Sequence, residues 1–192
     1  STLISSIYSI VDMAMVGQYH GPERSAALAV VAPVWNIIYS FGLLMGIGGS
    51  VLFSTIRGTS AGRERESNEY FTASGIGSVL LAAVIWAGIA FFDRPLLLAV
   101  KFAVPLFLLN QMLSAYLRND KNPALATVAV LAGGIFNVFG DYFFVFACDM
   151  GAYGAGLATA IGAAITFVVL MTHFLTKKNT LRLVRPKGLV QK

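Results

Sequence analysis

AYGAGLATAIGAAITFVVLMTHFL, residues 152–175, runs for 24 positions without an Asp, Glu, Lys or Arg. An α-helix rises about 1.5 Å per residue, so this run reaches about 36 Å, more than the ~30 Å of hydrocarbon in a bilayer. It does not alternate polar and apolar residues, so it is not a strand of a transmembrane barrel. In lipid every backbone N–H and C=O must find its partner inside the protein, which leaves a helix.

Working outward, five more apolar segments share this character: roughly residues 3–16, 26–56, 70–92, 95–117 and 124–147. The breaks between them carry turn chemistry. Gly21 and Pro22 lie in the first, Gly58 and Gly62 in a charged loop, Asn119 to Pro123 in a polar turn, and Asp149 to Gly151 in a tight connection. The whole chain is 57% hydrophobic and 12% charged, with a mean hydropathy of +0.74. A soluble domain carries about 25% charged residues. The expectation is an all-α membrane protein: a six-transmembrane-helix bundle over residues 1–176, then a basic cytoplasmic linker over 177–192.

Lys and Arg set the orientation. Arg57, Arg63, Arg65, Arg118 and Lys121 fall on one side with Lys177, Lys178, Arg182, Arg185, Lys187 and Lys192; Arg24, Arg94 and Lys101 fall on the other. The richer side is expected to be cytoplasmic, so the chain enters its first helix from the cytoplasm and its tail is cytoplasmic. That tail suits a lipid-facing juxtamembrane segment better than nucleic acid. Cys148 is the only cysteine and has no partner for a disulfide or a CxxC site. Gly42 and Gly46, and Gly154 and Ala158, have the spacing that lets helices approach closely in lipid.

Ionisable groups inside spans are costly and mark function. Two carboxylates qualify, Asp12 and Asp141, whereas Asp93, Asp120 and Asp149 fall in turns. The plain alternative for a membrane aspartate is a helix-end residue reaching the interface. Depth argues against it. Asp12 lies eight residues before His20, Asp141 seven before Cys148, and Thr159 eight after Gly151. All three then sit roughly 10–12 Å below one boundary. Tyr8 precedes Asp12 by four residues and Asn137 precedes Asp141 by four, so each pair shares a helix face. If the first, fifth and sixth helices pack together, five oxygen-bearing side chains converge. Hard oxygen ligands suit a proton or Na⁺ rather than a soft metal. Burial disfavours a charged carboxylate, and two neighbours titrate as a unit. Neutralising the site with a cation could then bias two conformations.

Asn110 and Gln111 either line a substrate cavity or bond neighbouring helices, and Asn36 and Tyr39 are similar. Met13, Met15, Met45, Met112 and Met171 read as packing or as an adaptable binding wall, and Phe136, Phe139, Phe143 and Phe144 as packing and lipid contacts. GxxxxGK[ST] is absent, so ATP is not the evident energy source, and no cofactor is expected. His20 and His173 lie near opposite ends of the membrane, and no positioned nucleophile accompanies the acid pair, which argues against an enzyme.

Several of these residues stand in motifs that resemble the multidrug and toxic compound extrusion (MATE) family. They are Val11-Asp12 with Val16-Gly17, Arg57-Gly-Thr-Ser-Ala-Gly-Arg-Glu-Arg65 and Tyr116-Leu-Arg-Asn-Asp-Lys-Asn-Pro123. Asn137-Val-Phe-Gly-Asp141 and Gly151-Ala-Tyr-Gly-Ala-Gly-Leu-Ala-Thr159 complete the set. The family usually has glycine where Lys121 stands. The resemblance implies one lobe of a twelve-helix, two-lobe transporter in an inner (plasma) membrane, exchanging drug-like, often cationic organic compounds for H⁺ or Na⁺. It implies a cation site from Tyr8, Asp12, Asn137, Asp141 and Thr159. The second lobe and membrane lipids are the implied partners. The family's first helix begins earlier and carries a proline, so the first helix here is expected to be truncated. About twenty residues are expected to be missing near Val100-Lys101, from the length a fourth span needs. A lipid-linked oligosaccharide flippase of the same superfamily and a non-transporting membrane fragment are the alternatives.

Overall fold

The computed structural model of the chain describes residues 10, 36–59, 62–90, 95–177 and 179–185, and the regular elements among them are all helical. The first apolar segment, with Tyr8 and Asp12, lies outside the described residues. Five helices follow. We number them α1 (Asn36–Thr59), α2 (Glu64–Ala90), α3 (Pro95–Asn119), α4 (Pro123–Ala147) and α5 (Gly151–Met171). A single 3₁₀ turn, Thr172–Leu175, extends α5. The spans within α1, α2, α4 and α5 are long and apolar enough to cross a membrane.

Each boundary has a local cause. α2 opens with Glu64 and Glu66 in its first turn, where carboxylates complement the helix dipole. The loop before it turns at Gly62, whose φ of +103° is open only to glycine. Pro123 occupies the first turn of α4, where its missing N–H costs nothing. The α4–α5 hairpin closes with the Met150 N–H donating to the Phe144 carbonyl, and Asp149 and Gly151 both adopt positive φ.

The faces of α4 are inverted relative to a soluble amphipathic helix. Val128, Leu131, Ile135 and Phe139 point outward, while Ala126, Ala129, Gly133, Gly134, Asn137, Gly140 and Asp141 are buried. Large apolar side chains meet lipid at no cost, so the inside is left to small residues that permit close backbone approach. Gly162 of α5 shows how close: a Cβ there would lie 2.7 Å from the Gly133 carbonyl oxygen. On α1 the pair Gly42 and Gly46 faces α3, and a Cβ at Gly46 would lie 2.9 Å from the Gln111 carbonyl. Both small-residue spacings seen in the sequence are therefore packing contacts: a Cβ at Gly154 would meet the Phe144 backbone at 2.8 Å.

α1, α3 and α5 all end at the side rich in Lys and Arg, called here the basic end. A cluster of Phe53, Phe71, Tyr116, Leu117 and Leu170 fills that end. Leu181, 2% exposed, belongs to the same cluster. The chain therefore stays on the bundle past residue 176, where hydropathy alone draws the edge of the lobe. Nearer the opposite end, Ile38, Ala82, Val104 and Leu108 form a second cluster.

Candidate cation site between α4 and α5

α4 brings Asn137 and Asp141 to its inner face, one turn apart, as their spacing requires. Asp141 is 0% exposed and Asn137 6%. Immediately after Asp141 the helix widens into π turns over Tyr142–Ala147. Such widenings are rare and often occur at functional sites. Across the seam, α5 presents Thr159, whose hydroxyl accepts a 3.1 Å hydrogen bond from Asn137 Nδ2 and donates at 3.0 Å to the Ala155 carbonyl. With its amide nitrogen so engaged, Asn137 has its carbonyl oxygen left for another partner.

Glycine and alanine make this meeting possible. Gly140 sits against Ala158, with a Cβ there only 3.0 Å from the Ala158 Cβ, and Gly162 lies against the Asn137 side chain. The seam is too tight for larger residues at these positions, so the polar side chains lie between two closely apposed backbones. A carboxylate, an amide oxygen and a hydroxyl are hard donors that fit a proton or Na⁺.

Of the five residues expected in the site, the structure brings Asn137, Asp141 and Thr159 to one seam; Tyr8 and Asp12 lie outside the described residues. Asn110 donates from Nδ2 to the Ala163 carbonyl of α5 at 2.8 Å, one turn beyond Thr159. That is the helix-bonding alternative for this residue. Gln111 backs onto Gly42 and Gly46 of α1. Met45 packs against α2 at Gly77, and Met112 lies in the core. Tyr39 lies against Phe107, ring centroids 6.0 Å apart.

A second buried carboxylate went unrecognised in the sequence. Asp120, in the α3–α4 turn, is 1% exposed. It accepts from His173 Nε2 at 2.8 Å and from the Thr180 backbone N–H at 2.9 Å. Arg57 lies 3.4 Å away, and the Thr180 hydroxyl also bonds to it. The reading of Asp120 as an ordinary turn residue is thereby corrected. Its signal was present but divided: Arg57 and Asp120 belong to two separate quoted motifs, and only the fold joins them.

Membrane-length helices packed through small residues, with apolar side chains turned outward, define a polytopic integral membrane protein. The chain belongs to the MatE family, whose model matches residues 1–101. The multidrug export protein MepA of Staphylococcus saprophyticus is 24% identical over 96% of this chain and 45% of its own length. An outward-facing multidrug resistance MATE family transporter of the MOP superfamily superposes with a TM-score of 0.83 at 19% identity, over 96% of this chain and 44% of that one. A MOP superfamily transporter from Pyrococcus furiosus superposes with a TM-score of 0.80, also at 19% identity and over the same shares of the two chains. The chain thus spans about half the length of the curated relatives it matches.

Proposed function

We propose that this chain is one lobe of a secondary multidrug exporter in which entry of H⁺ or Na⁺ drives the exit of drug-like, often cationic organic compounds. The observation that carries the reading is the burial of Asp141 beside the Asn137–Thr159 hydrogen bond, inside two membrane-length helices. A carboxyl group so placed responds to a cation with the full weight of its charge, because little solvent screens it. Asp12 and Tyr8 complete the site from the first helix in this reading. Its partners are a second six-helix lobe and the lipids of a bacterial inner membrane. The basic end faces the cytoplasm, in keeping with the positive-inside bias of Arg57, Arg63, Arg65, Arg118, Lys121, Arg182 and Arg185.

Cation occupancy would be felt mechanically. The π turns following Asp141 are a place where a helix can change pitch without breaking its bonding, so a change of charge there can bias two packings of the seam. The deciding experiment is efflux by the lobe joined to its second lobe, from cells or proteoliposomes under separate Na⁺ and pH gradients. Asp141→Asn is expected to abolish gradient-driven efflux while the protein still inserts in the membrane. Efflux by that variant at the unaltered rate would sink the role given to Asp141.

A further inference from the structure

After the 3₁₀ turn, residues 179–185 have no helix of their own, and the basic composition of this stretch suggests a free tether. The structure holds it down. Three alternate backbone amides each find a side-chain acceptor on the bundle. The Thr180 N–H donates to Asp120 Oδ2 at 2.9 Å, the Arg182 N–H to Asn68 Oδ1 at 3.2 Å, and the Val184 N–H to Thr72 Oγ1 at 3.0 Å. Asn68 and Thr72 are one turn apart on α2, about 6 Å along its axis. Alternate residues of an extended chain repeat every 6.6 Å or so. The helix therefore offers acceptors at nearly the interval an extended strand needs. Leu181 fixes the segment's other side by burying itself beside Phe53, Tyr116, Leu117 and Leu170.

Asp120 is the hub. Its partners are His173 Nε2, Arg57 Nη1, the Thr180 N–H and the Thr180 hydroxyl. They come from the end of α1, from the 3₁₀ turn that extends α5 and from the segment itself, while Asp120 sits in the turn joining α3 to α4. His173 is held in turn: its Nδ1 accepts from Asn122 Nδ2 at 3.1 Å, which places the ring proton on Nε2, facing Asp120. Arg57 donates from Nε to Ser67 Oγ at 3.1 Å and from Nη2 to the Thr180 carbonyl at 3.0 Å. Its guanidinium also lies 4.3 Å from the Phe53 ring centroid. A carboxylate offers only acceptors, which suits donors converging from several elements; an amide would turn N–H groups toward some of them.

We propose that residues 179–185 form a strap clasped to the lobe through Asp120, so that strap and lobe move as one body. Any motion of the helix ends is then passed directly to the chain at residue 185 instead of being lost in a slack linker. The clasp itself is independent of the transport reading; only the consequence for transport rests on it.

Hydrogen exchange of the full chain in nanodiscs tests the clasp. The amides of Thr180, Arg182 and Val184 are expected to be protected in the unaltered protein. Asp120→Asn is expected to speed exchange across the strap by about tenfold or more while α4 and α5 stay protected. Asn68→Ala combined with Thr72→Val leaves the charge cluster intact, so it keeps the test meaningful if Asp120→Asn misfolds. It is expected to free Arg182 and Val184 but not Thr180. Free-peptide exchange of the strap in the unaltered chain, or no change in either variant, would overturn the clasp. The one-body claim is tested by Thr72→Cys with Val184→Cys in a Cys148→Ser background, joined by a short thiol cross-linker. With the second lobe present, transport at an undiminished rate after cross-linking is the expected result. Loss of transport on cross-linking, recovered when the link is cleaved, would mean that the strap must undock and would overturn that claim. Absence of transport in every form of the lobe joined to its second lobe, with exchange as expected, counts against the exporter reading and leaves the clasp standing.

Discussion

Asp141 and Asp120 are both buried carboxylates, yet the sequence distinguishes them poorly. Asp141 was legible because it interrupts an apolar run, and a charge in that setting needs a reason. Asp120 stands in a polar turn where a solvated carboxylate is ordinary, and its burial depends on Arg57, His173 and Thr180 arriving from far along the chain. Removing one member of a buried ion pair leaves the other uncompensated, at a cost of about 3–5 kcal/mol. Asp120→Ala is therefore expected to lower the thermal stability of the protein in detergent much more than Asp149→Ala, since Asp149 is exposed. Lys121 is the other residue whose meaning appears only with the backbone. It stands at φ +61°, in the left-handed region, which explains why glycine is usual at this place in the family. Relief of that strain is partly offset by the greater freedom of glycine in the unfolded chain. Lys121→Gly is expected to stabilise by about 0.5–1 kcal/mol, read as a rise in melting temperature.

At the scale of the helix, hydropathy located α3, α4 and α5 to within a few residues at each end, and the C-terminal end of α1 as closely; the expected start of the α1 segment near residue 26 lies outside the described residues. Residues 124–147 and 152–175 correspond to α4 and to α5 with its 3₁₀ turn. α2 is the exception in kind: it begins at Glu64, six residues before the apolar run, because a helix can continue out of the hydrocarbon while its side chains become polar. The π turns in α1 and α4 have no apolar periodicity to announce them. The α4–α5 seam is the element-scale feature on which the site depends. Gly162→Ala would place a methyl group 2.7 Å from the Gly133 carbonyl, so the helices must part. Overpacking of this kind costs about 1–3 kcal/mol. Gly88→Ala on α2 meets nothing within 4 Å and is the control. It is expected to stabilise by about 0.5–1 kcal/mol, since alanine is the better helix former. Melting curves of the two variants should move in opposite directions, and the first should also weaken transport.

Among the described residues, many large apolar side chains face outward, while the interior combines aromatic and aliphatic clusters with small and polar residues. Exposed Val79, Leu80, Val84, Trp86, Ile135 and Phe139 make sense in lipid and would promote aggregation in water. Composition alone made that environment legible. Depth counting put Asn137, Asp141 and Thr159 at one level, because a bilayer gives every helix the same two boundaries; the structure adds that α4 and α5 pack there, with Asn137 bonded to Thr159, while Tyr8 and Asp12 lie outside the described residues. What depth counting lacks is rotation about each helix axis, and that is set by glycine and alanine packing at the seam. It also gave no hint that the basic end is bolted together by charge.

Cation binding without drug or gradient isolates the central role given to Asp141. Proton release on adding Na⁺, and proton uptake on acidification, can be counted per mole of purified protein for the unaltered chain and for Asp141→Asn, with melting curves recorded to establish that both are folded. The expected result is that the folded variant loses at least one exchangeable cation per chain. An unchanged count in a folded variant would contradict the assignment of the site to the α4–α5 seam.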